Sequence, residues 1–135
     1  MEGMTDIPAP SIWPALAYAD APAAIRFLVK AFGFVETLVV PGEGGREIAH
    51  AELCWPEGGG VMLGSTSDDS VFGRMKPGMT SIYVVTDAPD AAFQRATAAG
   101  AEVVRELKDE DYGSRGFTVR DPEGNLWSFG TYRGA

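Results

Sequence analysis

Short apolar stretches and a helical stripe follow each other along the chain, and the same order then recurs. Residues 12–18 and 81–85 are mostly apolar over the length of a strand, and each predicts a strand. After the first of them, large apolar side chains recur at the helical spacing i, i+3, i+4 and i+7: Ile25, Leu28, Val29 and Phe32. The matching stripe in the second half is thinner and consists of Ala92, Phe93, Ala96 and Ala99. Each half therefore predicts one strand followed by one amphipathic helix.

The two predicted helices share their start and stop signals. Asp20 and Asp87 each precede a proline by two residues. An aspartate there accepts from the free amides of the first turn, where the missing N–H of proline costs little. Gly33 and Gly100 follow the last apolar position of each stripe, where a left-handed C-terminal cap is typical.

Two sequence matches at nearly one spacing indicate a duplication. Asp-Ala-Pro at 20–22 recurs at 87–89, and "WPEGGGVMLGS" at 55–65 is matched by "DPEGNLWSFGT" at 121–131. Three further strands are predicted in each copy, the last two joined as a hairpin by the Pro-Glu-Gly turn. They cover 34–40, 46–55 and 60–65 in the first copy, and 101–107, 115–121 and 126–132 in the second. The order β-α-β-β-β is thus expected twice.

A single domain over residues 1–135 accounts for this pattern. It comprises a flexible tail at 1–10, a first module at 11–65, a linker at 66–78 and a second module at 79–132. One module cannot bury a sheet face alone. We therefore predict an α+β fold in which two tandem βαβββ modules form curved mixed sheets around a central cavity, with the helices outside.

Composition narrows the classes of function. The chain has 135 residues and a net charge of −8, which argues against a nucleic-acid partner and is compatible with a cationic ligand. No apolar run approaches the length of a membrane span, and the N-terminus lacks the features of a signal peptide. The single cysteine, Cys54, excludes an internal disulfide. We expect a cytoplasmic protein that contacts no membrane.

The few polar candidates each allow two interpretations. His50 and Glu52 share one face of a strand and are either an acid/base or donor pair, or a polar strand face on which His50 bonds a neighbour. Arg115 is placed either to meet an anionic group of a ligand or to pair with an acid of the run at 109–111.

Aromatic residues suggest a pocket for an organic molecule. Trp13 and Tyr83 fall on strands predicted to face the cavity, and Phe72, Tyr112 and Phe117 fall on or near loops that could close over it. The alternative is that these rings fill the core of a fold without a ligand.

The segments "LAYADAPAAIRFLVKAFGF" and "YGSRGFTVRDPEGNLWSFGTY" resemble the vicinal oxygen chelate superfamily, over residues 11–132. That superfamily includes glyoxalase I, extradiol dioxygenases, fosfomycin-resistance enzymes and bleomycin-resistance proteins. Its metal enzymes carry His, Glu or Gln on four inward strand positions, which here correspond to Trp13, Met62, Ser81 and Ser128. These residue types are unsuited to a divalent transition metal. The resemblance thus implies the fold but no metal site and no cofactor.

The final motif is most similar to that of the bleomycin-resistance proteins, which also lack a metal site and look like acidic homodimers that sequester a cationic drug. The resemblance implies a metal-independent homodimer that binds a drug, a toxin or another aromatic or cationic metabolite without catalytic residues. The expected ligand-binding residues are Trp13, His50, Met62, Phe72, Ser81, Tyr83, Tyr112, Arg115, Phe117 and Ser128. Two alternatives stay open: a glyoxalase- or dioxygenase-type enzyme with atypical metal ligands such as His50 and Glu52, and a scaffold that acts through protein contacts.

Overall fold

Two copies of one β-α-β-β-β unit make up the structure, a computed structural model that describes residues 9–135. The first contains β1 (Ala15–Tyr18), α1 (Ala21–Phe27), β2 (Val35–Pro41), β3 (Ile48–Cys54) and β4 (Gly60–Ser65). The second contains β5 (Ser81–Val85), α2 (Pro89–Ala98), β6 (Glu102–Asp109), β7 (Arg115–Arg120) and β8 (Leu126–Gly130). The predicted order of elements is confirmed. Residues 1–8 of the predicted tail lie outside the described residues.

Several strand boundaries differ from the prediction by one to three residues. The first strand begins at Ala15 instead of residue 12, because Pro14 has no amide to donate to a ladder, although its carbonyl accepts from the Met62 amide at 2.9 Å. The first helix continues past Phe27 as a π-helical turn, Leu28–Phe32. The last strand ends at Gly130 instead of residue 132.

The helix starts confirm one predicted cap and correct the other. The side chain of Asp20 accepts from the Ala23 amide at 3.2 Å and caps α1. For α2 the expectation was wrong, since the cap residue is Ala88 and the Asp87 carboxylate pairs with Arg133 instead. Gly33 and Gly100 both have φ of 89°, as the left-handed helix ends predict.

Each module forms a four-stranded mixed sheet with the same topology. The strand orders are β1-β4-β3-β2 and β5-β8-β7-β6, with the β1–β4 and β5–β8 pairs parallel and the others antiparallel. In each sheet one face is buried against the helices and the other module. The opposite face, called here the open face of that sheet, carries the alternate residues.

Aromatic side chains fill the contact between the modules. Phe32 and Phe34 of the first module pack on Trp127 at centroid distances of 5.3 and 5.6 Å, and Trp55 packs on Phe129 at 5.8 Å. Trp127 and Phe129 are at most 1% exposed. Such ring pairs add to the gain from apolar burial and fix how the two modules meet.

The two Pro-Glu-Gly turns join the modules reciprocally. The Glu123 carboxylate accepts from the amides of Ala19 and Asp20 at 2.7 and 2.8 Å, ahead of α1. The Glu57 carboxylate accepts from the Asp87 amide at 2.9 Å and the Thr86 hydroxyl at 2.8 Å, ahead of α2. Each turn of one module thus satisfies donors at the helix entry of the other. Within residues 9–135, no helix is long and apolar enough to cross a membrane.

Candidate ligand-binding site

The open face of the first sheet combines apolar side chains with one polar pair. Strand register places Ala15 beside Met62, Met62 beside Glu52, and Glu52 beside Leu38. His50 is two residues from Glu52 and therefore on the same face. The neighbouring Leu63 points the other way and is buried in the core. The alternation along these strands leaves a partly apolar surface without a covering layer.

A cavity of about 960 Å³ lies over this face. Its floor includes His50, Met62 and Gly64, and one wall is the start of the linker between the modules, with Phe72 in it. The Phe72 ring is 72% exposed, so it borders the cavity instead of packing in the core. The volume is within the range of pockets for organic molecules.

The wall formed by residues 66–73 is a loop closed by its own hydrogen bonds. The Ser67 amide donates to the Gly73 carbonyl at 2.9 Å, and the Gly73 amide donates to Ser70 Oγ at 3.1 Å. A Cβ on Gly73 would lie 2.7 Å from Ser67 Oγ, so a side chain at this position would displace the loop. The loop therefore has a defined shape that depends on serine hydroxyls and one glycine.

The charges around the cavity are of one sign. Glu43, Glu47 and Asp69 line it, whereas none of its lining residues in the described chain is a lysine or arginine. Carboxylates around a concave surface favour a cationic ligand over an anionic one. These three acids could not be predicted from the sequence because they lie in loops, and no local pattern reveals where those loops lie over the sheet.

His50, at the floor of this cavity, is paired with Glu52 of the same strand. His50 Nε2 and Glu52 Oε2 are 2.8 Å apart, with side-chain exposures of 39% and 26%. This contact fits both interpretations of the pair, the acid/base or donor pair and the polar strand face on which His50 bonds a neighbour. His50 contributes a hydrogen-bonding group to the floor.

The open face of the second sheet holds a separate group of predicted site residues. Tyr83 is paired in register with Ser128, and the hydroxyl of Ser128 lies 2.8 Å from that of Thr118. The Tyr83 hydroxyl donates to the Tyr132 carbonyl at 2.8 Å, and the ring is 48% exposed. Ser81 is exposed on the same face. These residues do not line the cavity over the first sheet.

Trp13 and Tyr112 are also outside that cavity. Trp13 precedes β1, donates its indole N–H to the Pro10 carbonyl at 3.3 Å, and lies close over Gly60. Tyr112 packs edge-on against Tyr132 at 5.9 Å and is 64% exposed. Both rings remain partly accessible, at the margins of the two open faces.

Two predicted site residues have structural roles instead. Phe117 is 4% exposed and stacks on Phe129 at 5.1 Å, because its position on β7 alternates toward the core; its predicted place at the pocket was wrong. Arg115 donates to Asp90 at 2.8 Å and lies 3.2 Å from Asp109, which bears out the pairing with the acidic run. The hydrogen bonds between Arg115 and Asp90 lower the pKa of the Asp90 carboxyl group and raise the pKa of the Arg115 guanidinium.

The donor set does not fit a transition-metal ion. Four residues occupy the positions of the family's metal ligands. Trp13 and Met62 offer no imidazole nitrogen or carboxylate oxygen, and Ser81 and Ser128 offer only neutral hydroxyls. The Ser128 hydroxyl is also hydrogen-bonded to Thr118. Within residues 9–135, no group of three or more His, Cys, Asp or Glu side chains is arranged to hold a metal.

Comparison with known proteins places these features in a family. The family model described as Glyoxalase/Bleomycin resistance protein/Dioxygenase superfamily matches residues 12–129. An uncharacterized protein of Mycobacterium bovis is 44% identical over 128 residues, covering 90% of this chain and 82% of that protein. A counterpart in Mycobacterium tuberculosis has the same identity and coverage of this chain, with 74% of its own length covered.

Solved structures share the architecture. TioX from Micromonospora sp. ML1 is 38% identical, with a TM-score of 0.75 over 88% of this chain and 95% of that one. TnmS3 from Streptomyces sp. CB03234 is described as an antibiotic binding protein. It is 23% identical with a TM-score of 0.65, and the match covers 92% of this chain and 95% of that one. At that identity the likeness to TnmS3 shows the fold alone.

Proposed function

This chain belongs to the Glyoxalase/Bleomycin resistance protein/Dioxygenase superfamily, and we propose that it binds a small organic molecule without a metal ion. The ligand we propose is a cationic molecule with apolar or aromatic parts, of the kind that a drug or toxin presents. Binding of this type sequesters the ligand and needs no catalytic residue. The same fold carries TnmS3, described as an antibiotic binding protein, which is compatible with this role.

The observation that carries the proposal is the cavity over the open face of the first sheet. Met62 and Phe72 supply apolar contact surface there, while Glu43, Glu47 and Asp69 supply negative charge around it. A ligand that combines a ring with a positive charge satisfies both parts of this lining. His50 adds a hydrogen-bonding group at the floor.

Metal independence is proposed from the residue types alone. A catalytic metal site in proteins uses three ligands drawn from imidazole, thiolate and carboxylate groups. His50 and Glu52 provide two such groups, and Glu52 Oε2 is already bonded to His50. An enzyme using this pair would need a third ligand, which the described residues do not place beside it.

We also propose that the protein is a homodimer in which the open faces are covered. Val35, Leu38 and Val40 on β2 are 40–52% exposed, and Tyr83 and Val104 of the second sheet are 48% and 41% exposed. Exposed apolar residues grouped on a sheet face are typical of an interface. A second copy placed with its second sheet over the first cavity would add Ser81, Tyr83 and Ser128 to the site.

A thermal-shift screen with parallel metal analysis tests the proposed function. A ligand that binds only the native state raises the melting temperature according to its concentration relative to its dissociation constant. We expect organic cations with aromatic rings to raise it, and equally so in chelator-treated protein. Transition-metal salts alone should give no specific shift.

Two results would contradict the proposal. One is a stoichiometric transition metal in protein purified without chelators, which would favour the enzyme alternative. The other is stabilisation by anionic aromatic compounds but not by their cationic counterparts, since the carboxylates of the cavity disfavour an anion.

A further inference from the structure

We propose a second binding site, for a small uncharged aromatic molecule, in a crevice between the two modules. The crevice has a volume of about 420 Å³ and is lined by Ile12, Phe34, Trp55, Gly59, Val61 and Ile82, among others. None of its lining residues also lines the cavity over the first sheet. A ligand here would touch both modules, because Ile82 and Tyr83 belong to β5, whereas Phe34, Trp55 and Val61 belong to the first module.

The duplication explains why the crevice is open. In the second hairpin, Asn125 is 1% exposed, donates to Asp121 at 3.0 Å and accepts from the Thr80 amide at 3.0 Å. Gly78 lies so close that a Cβ on it would overlap the Glu123 carbonyl. These contacts hold residues 78–80, the segment that leads into β5, against the hairpin.

In the first hairpin the matching positions carry different residues. Trp55 replaces Asp121 and Gly59 replaces Asn125, at the offset of 66 residues. A Cβ on Gly59 would meet no atom within 4 Å, and the incoming Ile12 is 84% exposed. With no side chain at Gly59 to bond the incoming chain, a space lined with apolar groups remains.

The lining specifies the chemistry of the ligand. The indole N–H of Trp55 already donates to the Val85 carbonyl at 2.9 Å, and both Glu57 oxygens accept bonds from the second module. In the described chain, no buried side-chain polar atom lacks a partner. Arg133 also lines the crevice, but its guanidinium is paired with the Asp87 carboxylate. A charged ligand would lose hydration and compete with that pair, whereas an aromatic ring gains contact with Trp55 and Phe34.

The size of the crevice suits a bicyclic ring. A closed apolar cavity of roughly 150 Å³ is enough to hold benzene in another protein. The present crevice is larger and open on one side, so a ring system such as indole has room beside Trp55. This site does not depend on the ligand proposed for the first cavity.

Titration of the full-length, ¹⁵N-labelled protein with indole tests the site by NMR spectroscopy. We expect saturable shifts of the Trp55 indole N–H and of the Gly58 and Gly59 amides, with little change at Gly64, which lines the other cavity. Shifts centred on Gly64, or no saturable shift up to the solubility limit of indole, would overturn the proposal.

Paired variants locate the binding. Ile82→Phe should weaken indole binding about tenfold or more, because the added ring takes volume that the ligand needs. Ile48→Phe, a matched change in the lining of the first cavity, should change the dissociation constant for indole by less than about twofold. The reverse order of effects would overturn the assignment.

Ile12→Ala provides a test in which folding is not at risk. Ile12 is 84% exposed, so its truncation removes contact with the ligand but little core packing. Binding should weaken roughly threefold, as expected for the loss of a partly covered apolar side chain. An unchanged constant in both Ile12→Ala and Ile82→Phe would contradict the site even if both variants fold normally.

Discussion

Glu57 and Glu123 join the two modules of the chain in a reciprocal way. Each occupies the second position of a Pro-Glu-Gly turn and accepts two hydrogen bonds from the segment that enters the other module's helix. An ionised carboxylate makes stronger bonds to amides than a neutral acceptor does. The repeated turn in the sequence therefore has a structural role on both sides of the molecule.

Replacing Glu123 by alanine should destabilise the fold. Two backbone amides, of Ala19 and Asp20, would lose their acceptor, and we expect the free energy of unfolding to fall by about 1–2 kcal/mol. Denaturant unfolding measures this. Glu106→Ala removes an exposed glutamate of β6 with no hydrogen-bond acceptor role in the described chain, and should change stability by less than about 0.5 kcal/mol. Equal effects of the two changes would contradict the role of the turn.

Tyr18 and Asp121 form a second link between the modules, and it is buried. The Tyr18 hydroxyl donates to Asp121 Oδ2 at 2.6 Å, and that oxygen also accepts from Trp127 Nε1 at 3.0 Å. Tyr18 is fully buried and Asp121 is 5% exposed. Burial, with the nearby Asp121 charge and hydrogen bond, holds the pKa of Tyr18 far above its ordinary value of 10.0.

This shift predicts a loss of stability at alkaline pH. Because of the raised pKa, the folded state retains the Tyr18 proton, which the unfolded state releases near pH 10.0. The contribution of Tyr18 to the free energy of unfolding is therefore complete below that pH and declines above it. The free energy of unfolding should show this decline between about pH 9 and about pH 11, the range over which an ordinary tyrosine ionises. The Tyr18→Phe variant should be less stable than the wild type at neutral pH, but its free energy of unfolding should fall less as the pH rises. A parallel decline in both proteins would contradict the assignment.

The ends of the two helices show how the copies have diverged. Gly33 and Gly100 share the same left-handed φ, but the Arg95 side chain of α2 donates to the carbonyls of Lys30 and Val29 at 2.9 and 3.1 Å. A Cβ on Gly33 would lie 2.9 Å from that guanidinium, whereas one on Gly100 would meet nothing within 4 Å. One helix end is thus part of the contact between modules and the other is free.

Alanine at these two glycines should therefore have unequal effects. Gly100→Ala should cost about 1 kcal/mol of unfolding free energy, from the positive φ alone. Gly33→Ala should cost about 2 kcal/mol, because the methyl group also displaces Arg95 from its two carbonyls. In an Arg95→Ala background the difference should vanish. If it persists, the contact with Arg95 is not its cause.

The elements themselves could be predicted from sequence because their signals are local. The stripe through Ile25 and Phe32 and the repeated turns are visible within a few residues. Asp87 was misassigned as a cap because its competing partner, Arg133, is distant along the chain. The same holds for Phe117, whose alternation toward Phe129 depends on the register of β7 and not on composition.

The site was only partly predictable for the same physical reason. His50 and Met62 were both expected to bind the ligand, and both line the cavity. Glu43, Glu47 and Asp69 reach it from loops, and loop placement follows from tertiary contacts such as the bonds between Ser67 and Gly73. Tyr83 and Ser128 share an open face, but it belongs to the other sheet.

The proposed dimer predicts a mass in solution twice that of one chain. Leu38 is 43% exposed on the open face of the first sheet, so Leu38→Lys should place a charge in the interface and shift the sedimentation equilibrium toward the monomer. Met75→Lys, a matched change at a 58% exposed residue of the linker outside the cavity wall, should leave the dimer intact. A wild-type monomer at micromolar concentration would contradict the proposal.

Calorimetric titration of chelator-treated protein with ethidium, a planar aromatic cation, tests whether the acidic cavity over the first sheet binds organic cations without a metal. We expect saturable binding that is lost in Met62→Lys, where an ammonium group enters the cavity, and kept in Met79→Lys, which makes the same charge change at a residue outside it. The neutral parent ring, phenanthridine, should bind at least about tenfold more weakly, since it lacks the attraction to the carboxylates. Binding that requires an added transition metal, or equal binding by both lysine variants, would contradict a metal-independent site at this cavity.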